Sequence, residues 1–556
     1  MTTEPASPAG ERSHEGGAFP QIVKTGFEIP NPVNPEITSP IQRSSGVTYH
    51  PEIGTQRTGP LVWLLVATIV GLHLLFARRY GYFRDELYYI ACSEHLDWGY
   101  VDQPPLIAAL TWLARHFFGN GLISLRLLPA MASGATMWLT AKTAREMGGS
   151  RFAQSIAGLA LVLAPIYLIL WHWMTMNAFE PLLWSTCAWL ALRATSTRNG
   201  KYWLLFGVVA GVGLENKYSM AFFGAALMAG LLLTRERRWM TSRWLWFGGA
   251  LALLIFLPNL VWLYRHDFPF LELMHNVSMS GRDIVRGPLR FIVDQAVILG
   301  PLSALLWVSG AIWLLLNRDS RLRVLGWTYV IVLVTIIGLK GKNYYATPAY
   351  PMLFAAGGVA LERATTERFR WFRALYPTLL ITGFVAIVPF SLPFLSPERF
   401  IAYQERIGWK PPASENQRNG PLPQYFADEF GWDEMAREVA RVYNSLSSAE
   451  RARTAIFANN YGEAAAIDFF GPKYGLPKAI SNHQTYWYWG SRDFDGSTVI
   501  VLGSNSGRDR DFFERVDIAG WVRHPYSRLD EHFPILVCRG LKTDFHTLWP
   551  QIKRWN

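Results

Sequence analysis

The feature that most constrains this chain is a series of long apolar stretches separated by short polar turns, running from Pro60 to about Leu395. They fall at 60–77, 121–141, 152–171, 179–194, 202–216, 218–234, 244–264, 289–316, 324–340, 344–361 and 374–395, about eleven in all. A helix needs roughly 20 mostly apolar residues to cross the hydrocarbon core of a bilayer. The spacing therefore predicts a polytopic α-helical membrane protein. Composition agrees: 50% of the residues are apolar and 14% aromatic, and the apolar ones are strongly clustered.

A net charge of +11 raises nucleic acid as a partner, but its distribution argues against that. Basic residues gather in alternate short loops: Lys142, Arg145 and Arg151; Arg193, Arg198 and Lys201; Arg235, Arg237, Arg238 and Arg243; Arg318, Arg321 and Arg323; Arg363, Arg368, Arg370 and Arg373. Excess Lys and Arg marks cytoplasmic loops. Threading the helices accordingly puts the N-terminus in the cytosol. It puts the turn at 172–178, the 265–288 loop and Lys340–Asn343 outside, and an odd number of crossings exports everything after Leu395. Arg78 and Arg79 are exceptions outside, with acids nearby.

Three regions follow. Residues 1–58 are rich in Pro, Ser, Thr and Gly and show no cleavable signal pattern, so they read as a disordered cytosolic tail. Residues 59–395 form the membrane domain, with 60–77 serving as an uncleaved anchor. Residues 396–556 form an exported soluble domain. In it "WDEMAREVARVYNSL" has helical spacing, "YGEAAAIDFFG" is helix-like, and "TAIFANN" is a short apolar run. "STVIVLGS" and "FPILVCRG" are short β-branched runs with the character of strands. A small α/β domain results. The cysteines, Cys92, Cys187 and Cys538, fit no metal spacing; a Cys92–Cys538 bridge outside is one open arrangement.

Directly after the first apolar segment comes "YGYFRDELYYIACSEHLDWGYVDQPPL", residues 80–106. It sets Arg84, Asp85 and Glu86 in a row, then an aromatic run, then Asp102-Gln103-Pro104-Pro105. Neighbours on a helix point about 100° apart, so Asp85 and Glu86 are expected to differ in role, one facing a substrate and the other orienting a partner such as Arg84. A solvated loop with a Pro-Pro turn is the plainer alternative. The second outer turn, "HWMTMNAFEPLLW", has Glu180 before Pro181, a placement that also suits a helix start and its dipole. The functional alternative has Glu180, with Asn177 or His172, facing a cavity opposite Asp85, since ionisable groups at membrane depth usually face the bundle interior. In "GVGLENKYSMAFF", Glu215 and Lys217 either pair in a hairpin or leave Lys217 as a point charge for a phosphate. "LKGKNYYATPAYP" puts Lys340, Lys342, Tyr344 and Tyr345 at the outer edge. Snorkelling lysines in an aromatic belt account for part of this, but two lysines outside also suit an anionic ligand. The 265–290 loop adds Arg265, His266, His275, Arg282, Arg286 and Arg290.

The outer face thus collects carboxylates early in the chain and cations late. Transfer of a sugar from a lipid phosphate needs both: a carboxylate to deprotonate the acceptor hydroxyl, and cations or a divalent metal to hold the departing phosphate. Neither a P-loop nor a placed G-x-G-x-x-G is present, so no nucleotide cofactor is expected.

An outer loop that opens on Asp-Glu after the first helix and closes on Pro-Pro, followed by an acid before Pro at the next outer turn, resembles glycosyltransferase family 39. That family groups multipass enzymes of GT-C type, including the dolichyl-phosphate-mannose–protein mannosyltransferases, bacterial aminoarabinose transferases of lipid A and rhizobial galacturonosyltransferases. The resemblance covers about residues 60–360. It implies a GT-C bundle of about eleven transmembrane helices with an extracytoplasmic C-terminal α/β domain in the inner membrane of a bacterium. It implies a polyprenyl-phosphate sugar donor, a lipid, glycan or protein acceptor, and inversion at the anomeric carbon. It implies that Asp85 is the acceptor-side carboxylate or a metal-site acid, that Glu86 is the second member of the pair, and that Glu180 is the second-loop acid, with Asp85 and Glu180 as the metal candidates. Lys217, Lys340, Lys342, Tyr345 and Arg84 would serve the donor phosphate, and Asp102, Gln103, His172 and Asn177 the acceptor side. Gln103 stands where the aminoarabinose enzymes carry lysine, and Glu180 is one methylene longer than the family's Asp. The rival readings are a protein O-mannosyltransferase, distinguished by its acceptor, a transporter or lipid flippase, and a lipid-binding scaffold without activity. The absence of an internal repeat weighs against the transporter.

Overall fold

The computed structural model describes residues 58–411, 415, 416, 418, 420–492, 494–504 and 506–556. The expected N-terminal tail, except for its last residue, lies outside the described residues. Each of the eleven apolar segments is helical, but several are broken, and the breaks follow local chemistry. The segment expected at 152–171 divides into Arg151–Val162 and Pro165–Leu170, because Pro165 supplies no N–H to continue the ladder. The segment at 289–316 divides at Gly300 (φ +88°) and Pro301, and its two halves meet at 104°. By length and composition alone, four helices among the described residues can cross a membrane: Leu122–Glu146, Arg243–Arg265, Ser320–Gly338 and Phe372–Phe390. The bent pair makes a fifth if it is one span. Two further helices, Arg84–Glu94 and Leu106–Phe118, occupy the stretch that follows the first apolar segment.

Close packing in the bundle depends on small residues at crossings. A Cβ placed on Gly207 would lie 2.1 Å from the Gly248 carbonyl oxygen, and one on Gly248 would lie 2.2 Å from that of Trp203. The helices Lys201–Asn216 and Arg243–Arg265 therefore touch backbone to backbone. Such crossings are how apolar helices associate when lipid is as greasy as any side chain.

The C-terminal region carries a four-stranded sheet of β1 (Thr454–Ala458), β2 (Thr498–Leu502), β3 (Phe513–Val522) and β4 (Phe533–Leu541) in the order β1-β2-β4-β3. β1 and β2 run parallel, with the helix Tyr461–Phe470 in their crossover; the other pairings are antiparallel. β3 is the strand without a clear sequence signal, because most of its residues remain accessible on both faces. The core is continuous from the bundle into this region: Tyr88 and Tyr89 pack in the same cluster as Ile467 and Tyr486. The thiols of Cys92, Cys187 and Cys538 are free and buried, so the Cys92–Cys538 bridge does not form.

Replacing Gly248 with leucine is expected to force the two helices apart, at about 1–3 kcal/mol or more. The midpoint of thermal unfolding in detergent should fall by several degrees. Gly249→Ala on the same helix, where an added Cβ meets nothing within 4 Å, should leave that midpoint unchanged or slightly raised.

Candidate active site

The Arg84–Glu94 helix sends its two first-turn acids in different directions. Glu86 points into the protein and is fully buried. It accepts the Phe83 backbone N–H at 2.9 Å, the Met174 N–H at 2.9 Å and a two-pronged contact from Arg126 at 3.0 and 2.8 Å. Arg126 also donates to the carbonyls of Ala77 and Gly81, and lies 3.0 Å from His172 Nε2 and 3.1 Å from Glu429. Glu86 is thus committed to a buried cluster. Its partner is Arg126 rather than Arg84, and His172 lies in that cluster too. Burial pushes the Glu429 carboxyl up to about 8, with Arg126 opposing and Glu86 reinforcing, because one guanidinium cannot fully neutralise two carboxylates in a dry site.

Asp85, one residue earlier, turns the other way, onto a cavity of about 700 Å³ between the bundle and the sheet domain. Its Oδ1 accepts the Tyr461 hydroxyl at 2.8 Å. Burial raises its carboxyl above the usual carboxylate range, against the pull of Arg84 and the Tyr461 bond. Asp102 lines the same cavity, accepts the Tyr88 hydroxyl at 2.9 Å, and is lifted by burial to about 7. Gln103 is instead buried against Cys92, 3.7 Å from its sulfur.

The cationic wall comes from three separate parts of the bundle. Lys217 Nζ donates to Asn177 at 2.8 Å and to Glu180 at 3.0 Å, and sits 4.6 Å from the centre of the Tyr345 ring. Ser219 donates to the other Glu180 oxygen. Glu180 therefore holds Lys217 from behind and is not among the residues that line the cavity, whereas Asn177, Lys217 and Tyr345 are. Lys217 pairs with Glu180, not with Glu215. Lys342 faces the cavity between Glu415 at 2.5 Å and Asp283 at 3.3 Å. Burial would lift Glu415, but Lys342 overrides it and holds the carboxyl down at about 2. Arg282 and Arg286 complete this wall. Lys340 does not: it is exposed at a positive φ of 54° and points elsewhere. Ile166, Ile169, Leu170, Val297 and Ile298 give the cavity an apolar side.

The third wall is the sheet domain, and sequence reasoning missed it. Asn459, Tyr461, Glu463, His483, Glu531 and Arg554 all line the cavity. Glu463 sits at the start of the Tyr461–Phe470 helix, where burial and then Glu531 lift it to about 8. No local motif marks these residues, since they come from distant turns. Arg126 did carry a signal: a guanidinium inside an apolar segment must be paired to be tolerated. Asp85 and Glu180 do not assemble a metal site. Among the described residues no group of three or more His, Cys, Asp or Glu side chains is placed to hold an ion, and Lys217 and Ser219 occupy Glu180.

With this geometry, the chain is related to membrane glycosyltransferases, and its resemblance to glycosyltransferase family 39 rests on more than the loop at 80–106. A family model described as dolichyl-phosphate-mannose-protein mannosyltransferase matches residues 102–262, a segment that holds Asn177, Glu180 and Lys217 and begins after Asp85. The lipid A galacturonosyltransferase RgtD of Rhizobium johnstonii is 26% identical over 333 residues, covering 58% of this chain and 67% of that protein. A crystal structure of ArnT from Cupriavidus metallidurans bound to undecaprenyl phosphate shares the fold with a TM-score of 0.55 at 14% identity. It covers 86% of this chain and 97% of that one. The apo state of the same protein matches with the same TM-score at 13% identity.

A carboxyl whose folded pKa is raised is most compatible with folding when protonated, so its contribution to stability declines as pH climbs from its ordinary value, near 4.5, towards 8. Glu429→Gln keeps a hydrogen-bonding group and removes that decline. The unfolding midpoint of the variant should gain on the wild type progressively between pH 5 and pH 8. A constant difference across that range would reject the raised carboxyl.

Proposed function

We propose that this protein transfers a sugar from a polyprenyl-phosphate donor to an acceptor hydroxyl, on the outer face of a bacterial inner membrane. The observation that carries this reading is the cavity itself. It combines a partly desolvated carboxylate, Asp85, with Lys217, Lys342, Arg282 and Arg286, and adds an apolar side suited to a prenyl chain.

In this reading Asp85 is the general base. The acceptor oxygen attacks the anomeric carbon, its proton passes to Asp85, and the bond from that carbon to the phosphate oxygen breaks. The electron pair leaves with the polyprenyl phosphate, and direct displacement inverts the centre. The cations stabilise the charge that grows on the departing phosphate, and Glu180 serves by fixing Lys217 at the cavity wall. Glu86 acts through the Arg126 cluster that sets the helix orientation. The donor sets at Asp85 and Glu180 do not fit a divalent ion, and no step here runs through one. The topology that accompanies the reading has about eleven crossings, a cytosolic N-terminus and residues 396–556 outside. The likeness to RgtD, a lipid A galacturonosyltransferase, supports sugar transfer, and the likeness to ArnT with its bound undecaprenyl phosphate supports the donor class. Lipid, glycan and protein hydroxyls are the acceptor classes, and a protein acceptor together with a mannose donor would make the enzyme a protein O-mannosyltransferase.

The test is release of polyprenyl phosphate from a panel of polyprenyl-phosphate sugars by purified protein, with and without chelator. Asp85→Asn should fold normally and lower turnover by at least 100-fold. Lys342→Gln should raise the donor KM roughly tenfold, as expected for a lost charged hydrogen bond. Because the base must be ionised and burial raises its pKa, the acid limb of the wild-type rate profile should lie above the ordinary carboxylate value of about 4. Normal turnover by Asp85→Asn would sink the assignment, and release of no donor would favour a transporter.

A further inference from the structure

We infer that Tyr461, supplied by the sheet domain, is the positioning residue for Asp85, so that the carboxylate of the bundle reaches working geometry only against a residue some 376 positions away in the chain. The inference rests on the reading of Asp85 as the base. Aspartate on the first turn of a helix has a short side chain with several accessible rotamers, and a base must hold its oxygen within about 2.6–3.2 Å of the proton it takes. The Tyr461 hydroxyl engages Oδ1 at 2.8 Å, which assigns the proton transfer to Oδ2.

Tyr461 is itself held on several sides. The Arg84 guanidinium lies 4.5 Å from its ring centre. The His483 ring stacks on it at 5.3 Å and 14°, and the Tyr88 ring packs at 4.7 Å. The Tyr461 backbone N–H donates to His483 Nδ1 at 3.2 Å. That bond puts the imidazole proton on Nε2, which faces the Asn556 side-chain oxygen at 3.2 Å. Burial keeps the imidazole neutral, helped by Arg554 and Arg84. At the next residue a Cβ on Gly462 would lie 2.7 Å from Arg84 Cγ, so glycine there makes room for the arginine that covers the ring.

The contact is not needed to dock the two parts of the protein. Docking is already provided by the Arg126–Glu429 pair, by the Tyr88–Thr485 hydrogen bond at 2.8 Å and by the continuous apolar core. Removal of one hydroxyl should therefore leave the fold and the donor's cationic wall intact while loosening the base. A purely structural tyrosine predicts the reverse, lost stability with unchanged chemistry in the protein that remains folded.

Tyr461→Phe keeps the ring and deletes the hydroxyl. In the full chain, in lipid nanodiscs, kcat for polyprenyl phosphate release should fall about 10–100-fold while the donor KM stays within twofold. Thermal unfolding of Asp85→Ala, Tyr461→Phe and the double variant should show shifts that do not add, because each single variant removes one partner of the same bond. A kcat for Tyr461→Phe within twofold of the wild type, or strictly additive shifts, overturns the inference. Should the wild type turn over no donor, the transfer reading falls and takes Tyr461's role in turnover with it, while the unfolding cycle still decides whether the contact exists.

Discussion

Arg126 is buried between Glu86 and Glu429 and bonded to the carbonyls of Ala77 and Gly81, and much of the site's geometry follows from it. Removing one partner of a buried ion cluster leaves an uncompensated charge and typically costs 3–5 kcal/mol, so the partners are confined to one arrangement. That arrangement ties the turn after the first helix to the turn at His172–Met174 and to the start of the sheet domain at Glu429. It also sets the rotation of the Arg84–Glu94 helix. With Glu86 drawn inward, Asp85 is left facing the cavity.

The cavity divides its chemistry among parts of the chain that each do one thing. The apolar side comes from helices that would be greasy in any membrane protein. The cations come from turns at Lys217, Arg282–Arg286 and Lys342, and each has an acidic neighbour: Glu180 behind Lys217, Asp283 beside Arg282, Asp294 beside Arg286, and Glu415, itself on the cavity wall, beside Lys342. The sheet domain adds Tyr461, Glu463 and Glu531, and burial holds the Tyr461 hydroxyl and the Glu463 carboxyl well above their ordinary values. Perturbed groups gathered in one cleft are the physical mark of a functional site.

Apolar run length placed a helix in each of the eleven expected segments, because long apolar runs have few other fates, but it passed over the apolar helix Leu106–Phe118. It misjudged the breaks at Pro165 and at Gly300–Pro301, where a missing N–H and a positive φ interrupt the ladder. The opposed directions of Asp85 and Glu86 were legible from the helical repeat. So were the helices at 432–445 and 461–470 and the strands β2 and β4. β3 was not, since its accessible residues lack the apolar alternation that reveals a strand.

What the sequence by itself determined is the set of local decisions: where helices form, which loops are charged, and which acids sit beside the first helix. Those depend on neighbours within a few residues. Only the tertiary structure decided that Glu86 answers to Arg126, that Lys217 answers to Glu180, that Lys340 stays outside the cavity, and that Asp85 meets Tyr461. Each of those pairings joins residues that are between 37 and 376 positions apart or, for Lys340, depends on how a turn is aimed. No periodicity encodes such distances. They are settled by which buried charges can be satisfied at once when the whole chain packs.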